Sequence, residues 1–195
     1  MTASDALERL LRVLPPSPAS AAGAALDLQG VAEAEAALGV RLPPDYLDFL
    51  AVYGAGSLDD FLLIAAPAEA TGHRYSTSLM ETTEAFRRAA VQSHVAEVVG
   101  DAEAYIQWGL DDGAVSYLWR VEGESSAEWP VCVYEEGEMT VLPYGIVEFL
   151  ARACTGGLPR KLQCRFDSNS HEFLHWQDQY RRDVEQYGSG SYIGG

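Results

Sequence analysis

Five consecutive residues in the chain have the types and spacing of a metal site: His171-Glu172-Phe173-Leu174-His175. On an α-helix, two histidines four apart present their imidazoles on one side, where they can hold zinc while the glutamate acts as general base. A small zinc-dependent hydrolase built on this HEFLH string is therefore one reading. Its surroundings weigh against that chemistry. Phe173, Trp176, Tyr180, Val184 and Tyr187 recur at helical spacing, so residues 170 to 187 are expected to form a helix docked through this apolar stripe. His171, His175, Asp178 and Arg182 then share the opposite, polar side and face water. Catalytic zinc also needs a third ligand and a dry pocket. Asp183 and Glu185 lie on the same helix, and Asp178 with Arg182 fits an i,i+4 surface pair. No catalytic residue is expected, and His171 with His175 is left as a weak metal candidate.

Other reactive groups give less. Lys161 is the single lysine, and no glycine-rich loop precedes it, so neither Schiff-base nor phosphate-cradle chemistry is supported. Gly54-Ala55-Gly56 follows a helix instead of opening one, which is a turn's position. His73 and His94 have no nucleophile pattern near them and are expected in a polar loop and at a helix end. Cys132, Cys154 and Cys164 are odd in number and lack metal or disulfide spacing, which suits a reducing cytoplasm. No cofactor is implied.

Charge says more. The 195 residues carry 29 acids and 13 bases, a formal charge of -16, which repels phosphate backbones and anionic lipid and argues against direct nucleic-acid binding. Residues 1 to 150 hold 24 acids and 7 bases, whereas residues 151 to 195 hold 5 and 6. From Glu97 to Glu148 there are 12 acids and the single base Arg120, in a strand-rich stretch, so a negative sheet surface is expected. The charge either keeps the protein soluble or makes a docking face for a basic partner. The longest apolar run, Phe61 to Ala66, is far below the ~20 residues of a membrane span. The opening MTASDALERLL has acids where a secretory signal has bases, so an untargeted start is expected.

The elements around these groups follow from periodicity. Leu7, Leu10, Leu11 and Leu14 mark a helix over residues 5 to 14, ended by Pro15 and Pro16. PPSPASAAGAA reads as a tether or surface loop. A second helix spans about residues 29 to 38, with Leu28, Val31 and Leu38 on one side and Gly39 as its stop. A third begins at Leu42-Pro43-Pro44-Asp45, with Tyr46, Phe49, Leu50 and Tyr53 as its stripe. Residues 61 to 64 are a buried strand candidate and 81 to 92 a helix. Residues 105 to 110 and 114 to 121 flank Asp111-Asp112-Gly113, where glycine supplies the positive φ of a tight hairpin. Residues 131 to 134 and 139 to 142 form another hairpin across Glu135-Glu136-Gly137-Glu138. Three or four antiparallel strands result, with acids in their turns. Tyr144, Val147, Leu150 and Cys154 mark a closing helix, and Gly188 to Gly195 a loose tail.

The order of these elements carries a resemblance. LGVRLPPDYLDFLAVYGAGSL from Leu38, then YIQWGLDDGAVSYLW, AEWPVCVYEEG and YGIVEFLARACTGG, resemble the SUKH superfamily, the Smi/Knr-type proteins, over residues 28 to 157. Gly39, Leu42, Pro43, Tyr46, Gly54, Trp108, Gly109, Gly113, Trp119, Trp129 and Pro130 stand at its marker positions. The resemblance implies an α+β fold, a mainly antiparallel sheet flanked by N-terminal and C-terminal helices. It divides the chain into an N-terminal helix and Pro/Ala-rich linker (1–27), a core domain (28–157) and a helical extension with a flexible tail (158–195). It implies no catalytic residues. Bacterial members are mostly immunity proteins that neutralise polymorphic toxins, often nucleases or deaminases, and some fungal members regulate cell-wall assembly. The three tryptophans are expected in the core. Asp111, Asp112, Glu135, Glu136 and Glu138, in exposed turns, are the partner-binding candidates, and the partner would be a basic toxin domain.

Overall fold

A computed structural model describes residues 3–21, 26–68, 77–92, 95–113 and 115–188. His73, His94 and the Gly/Ser-rich tail beyond 188 lie outside them. The chain opens with helices α1 (Ala3–Val13), α2 (Pro18–Ala21), α3 (Leu28–Leu38) and α4 (Pro44–Tyr53). Strands β1 (Gly56–Leu58) and β2 (Leu62–Ile64) follow, then helices α5 (Leu79–Gln92) and α6 (Val95–Val99). A four-strand meander comes next: β3 (Tyr105–Asp111), β4 (Ser116–Arg120), β5 (Val131–Glu135) and β6 (Glu138–Leu142). The chain ends with α7 (Ile146–Thr155), α8 (Arg160–Gln163), β7 (Phe173–His175) and α9 (Trp176–Tyr187).

Among the described residues seven strands form one antiparallel sheet in the order β6-β5-β4-β3-β2-β1-β7, with helices on it, an α+β fold. Its inner face buries Leu58, Leu62, Ile64, Trp108, Tyr117, Trp119, Val131 and Val133 against Tyr46, Phe49 and Tyr53 of α4 and Phe149 and Leu150 of α7. Tyr46 packs edge-on against Trp119, its ring centroid 5.0 Å away, and its hydroxyl donates to the Ala65 carbonyl at 2.5 Å. A buried phenol usually finds such a partner, whereas the indole N–H groups of Trp108 and Trp119 on the same face have none among the described residues. The outer face of β3 to β6 is covered separately by Phe86 and Val99 on Tyr105, Leu118 and Cys132. Trp129 is buried on the inner side.

Several expectations are corrected. The Pro/Ala-rich segment is not a free tether over its described part: Ser17, Ala19 and Ser20 are buried, Ser20 Oγ donates to the Tyr53 carbonyl at 2.5 Å, and Ala19 N–H donates to Asp178 at 2.7 Å. Leu28 is 72% exposed, and α3 packs through Gly30, Val31 and Ala34 instead. The sheet gains two three-residue strands, β1 and β7, too short to show alternation. Residues 170 to 187 are not one helix. Phe173 to His175 pair with β1, and the helix starts only at Trp176. That helix docks through Gln179 and Asp183, while Tyr180 and Tyr187 of the anticipated stripe are exposed.

Two glycines are fixed by close approach. A Cβ on Gly56 would overlap the carbonyl of Leu174, so only glycine lets β7 pair with β1. A Cβ on Gly145 would overlap the Asp45 carboxylate, which reaches from α4 to accept the Val147 N–H at 3.3 Å in the first turn of α7. An anion is favoured there by the helix dipole. Burial nevertheless raises the Asp45 pKa, against hydrogen bonds from Val147, Tyr46 and Ile146.

Candidate partner-binding site

Antiparallel pairing sorts the turns. Leu58 lies opposite Leu62, Leu62 opposite Asp111, Ser116 opposite Tyr134, and Glu135 opposite Glu138. The β1–β2, β3–β4 and β5–β6 turns therefore share one end of the sheet, and Phe173 opposite Leu58 brings the entry to β7 there as well. This end collects Asp59 and Asp60 from the first turn, Asp111 and Asp112 from the second, and Glu135, Glu136 and Glu138 from the third. Glu172 joins them at the start of β7. The anticipated negative sheet surface is thus corrected to acidic ends. Both faces carry packed helices, and Glu122, Glu124 and Glu128 lie in the β4–β5 connection at the opposite end.

Asp111 is not an exposed contact residue. The register of β3 shifts between Gln107 and Gly109, so Asp111 turns to the inner face that simple alternation would deny it. Its side chain is wholly buried. Oδ1 accepts the N–H groups of Gly113 and Val115 at 3.0 Å each, and Oδ2 accepts the Tyr117 hydroxyl at 3.0 Å and Arg165 Nη1 at 2.8 Å. Burial, reinforced by Asp111, pushes the Tyr117 phenol far up, so it remains a donor. This carboxylate organises the β3–β4 turn. Gly113 does not take the positive φ expected of it. The β5–β6 turn is the tight one, with φ of 48° at Glu136 and 84° at Gly137.

No local sequence signal marks what lies over these turns. Arg165, just past α8, bridges Asp111 and Glu135, and Lys161 donates to Glu138 at 2.5 Å. The Lys161 ammonium draws the exposed Glu138 carboxyl below its ordinary range. Of the five candidates, Asp111, Glu135 and Glu138 are therefore paired within the chain, two cations standing against three carboxylates. Glu136 is exposed at its turn, and Asp112 is exposed with no hydrogen bond or ion pair among the described residues. The one sequence signal was the balance of charge after residue 150.

Only the start of the HEFLH string comes to the same end, and not as a zinc helix. His171 Nδ1 lies 2.6 Å from Asp59 Oδ2, whereas His175 is buried at the far end of β7, its Nδ1 accepting the Gln177 N–H at 3.3 Å. Glu172 is held by Arg182 at 3.0 and 3.1 Å, and Asp178 pairs with Arg181 at 2.7 Å, not with Arg182. The expected water-facing pair of histidines is thus corrected to two separately committed rings. Among the described residues, no group of three or more His, Cys, Asp or Glu is placed to hold a metal. Burial pushes the Cys132 thiol up to about 11 and Cys154 to about 12, so neither is a ready nucleophile. No described helix is long and apolar enough to cross a membrane.

Beside the acidic turns the outer face holds a hollow of about 300 Å³, lined by Ser57, Asp60, Phe61, Leu63, Leu110, Asp111 and Asp112. Asp59 and Asp60 both adopt positive φ, 57° and 54°, a conformation that aspartate tolerates better than most residues. A family model described as SMI1 / KNR4 family (SUKH-1) matches residues 25–152. No curated protein and no solved structure matches the chain.

Proposed function

This chain belongs to the SMI1 / KNR4 family (SUKH-1), and from that premise we propose that it is a non-enzymatic binding protein, an immunity protein for a secreted toxin of nuclease or deaminase type. It works in the reducing cytoplasm, where its three cysteines are free thiols. It covers the toxin's basic cleft with the acidic end of its sheet. The observation that carries this reading is the convergence of three strand turns and the entry to β7, which aligns seven carboxylates along one end, with the buried Asp111 behind them, against Lys161, Arg165 and Arg182. A cleft that binds phosphate is cationic, and charge complementarity speeds capture and selects the partner.

Co-expression tests it. The C-terminal domain of a large secreted protein encoded beside this chain is produced in a sensitive bacterium with and without the chain. Survival only with the chain supports the reading. Death in both cases defeats it, and binding without rescue points to the regulatory role known in other members. Association rates by stopped flow are expected to fall steeply between low and physiological salt.

A further inference from the structure

The hollow beside the acidic turns holds a polar group that the fold does not satisfy. Register puts Leu174, Ser57, Leu63 and Leu110 in one cross-strand row on the outer face. In this row Ser57 is 5% exposed and lines the hollow, and its hydroxyl is buried in the wall without a hydrogen-bond partner. Asp60 stands at the rim, held by Gln179 Nε2 at 3.0 Å, and the Oε1 of that same amide is buried and also without a partner. Asp112 stands on the next turn, exposed. Phe61, Leu63 and Leu110 supply apolar lining between these groups.

Resting on the binding role proposed above, we propose that this hollow receives the guanidinium of an arginine presented by a protein partner. At about 300 Å³ the space is at the small end of ligand pockets and suits one side chain better than an extended substrate. An arginine stem lies well on leucine and phenylalanine, and its planar fork can serve carboxylates on two neighbouring turns while another N–H reaches the Ser57 hydroxyl. A lysine head is compact and strongly hydrated, and fits this split arrangement less well.

The full chain, labelled with ¹⁵N, is titrated with the capped tripeptide Gly-Arg-Gly and followed by amide chemical shifts. Saturable shifts centred on Ser57, Asp60, Leu63 and Leu110 are expected. Asp60→Asn with Asp112→Asn is expected to weaken them about tenfold or more, asparagine keeping both the positive φ and the contact to Gln179. Should that variant misfold, Ser57→Val, which removes the hydroxyl, is expected to weaken binding as well. Equal binding of a citrulline or lysine peptide, shifts spread evenly over all acidic turns, or tighter saturation by calcium chloride would each overturn the arginine assignment. If the peptide fails to bind while the chain still rescues cells from its toxin, the hollow is overturned and the binding role stands.

Discussion

Arg165→Met tests whether the extension after α7 locks the acidic turns. Methionine keeps much of the aliphatic stem and removes the guanidinium from Asp111 and Glu135. The wholly buried Asp111 carboxylate retains three of its four donors, the N–H groups of Gly113 and Val115 and the Tyr117 hydroxyl. Breaking a buried pair so that a charge is stranded costs ~3 to 5 kcal/mol, whereas losing one hydrogen bond to a charged group costs ~1.5 to 3 kcal/mol. With three donors surviving, the loss should lie near the second figure, about 2 to 3 kcal/mol. For a chain of this length that corresponds to a fall in Tm of roughly 4 to 12 °C. Urea unfolding measures it, and a double-mutant cycle with Asp111→Asn apportions it. Asparagine can still accept the two N–H groups but carries no charge to strand, so the arginine should matter less by about 1 kcal/mol or more in that background. A loss below ~0.5 kcal/mol, or strict additivity with Asp111→Asn, would refute the view of Arg165 as the counterion of a buried carboxylate.

Gly56→Ala should cost about 3 kcal/mol or more and release β7 with α9, because the new methyl displaces the Leu174 carbonyl. Trypsin should then cut at Arg181 and Arg182 before the rest of the chain, and unchanged protection would count against it. Gly145→Ala should cost about 1 to 2 kcal/mol by pushing Asp45 from the first turn of α7, and clearly less when Asp45 is already alanine. Burial holds the His175 imidazole below its usual 6.5, against the pull of Asp178. The unfolded chain therefore takes that proton more readily, so stability is intact above pH 6.5 and is lost as pH falls through and below it. His175→Asn, which can still accept the Gln177 N–H, should flatten this slope between about pH 7 and 5.5. An unchanged slope in thermal melts would remove His175 as its source.

The hairpins were legible because their signals are local. Alternation from Val115 to Val121 and the Glu136-Gly137 turn state the β3–β4 and β5–β6 pairings, and the wholly buried Trp108 and Trp119 follow from the same pattern. The acidic site was half legible. Nothing near Asp111 announces the shift at Gln107 that turns it inward, and nothing near Arg165 announces a partner 54 residues earlier. The α9 error has a different cause. Its aromatic spacing is amphipathic, but what it meets includes the Asp60 carboxylate and the N–H of Ala19, so Gln179 and Asp178 turn to polar partners. Phe173, which seemed to continue that stripe, instead fills the core beside Phe49 and Tyr53. Tertiary context decided both cases over the local period.

The paired carboxylates and the unpaired ones have different work. Neighbouring strands lie ~4.8 Å apart, so successive turns at this end are ~10 Å apart, close to the ~8 Å screening length at physiological salt. A distant partner at low salt senses the whole line, and a group at contact senses chiefly the one or two turns beside it. Arg165 and Lys161 hold the second and third turns in place and quench part of their charge, which limits the self-repulsion of so many carboxylates on a small end. Asp60, Asp112 and Glu136 are not held by either cation through an ion pair. Reversing Lys161 to glutamate should therefore strengthen long-range attraction while loosening the Glu138 turn. The association rate of a basic partner at low salt would rise and the complex would dissociate faster. Stopped-flow and dissociation kinetics on the same variant separate the two effects, and a rise in lifetime would contradict the bracing role given to that lysine.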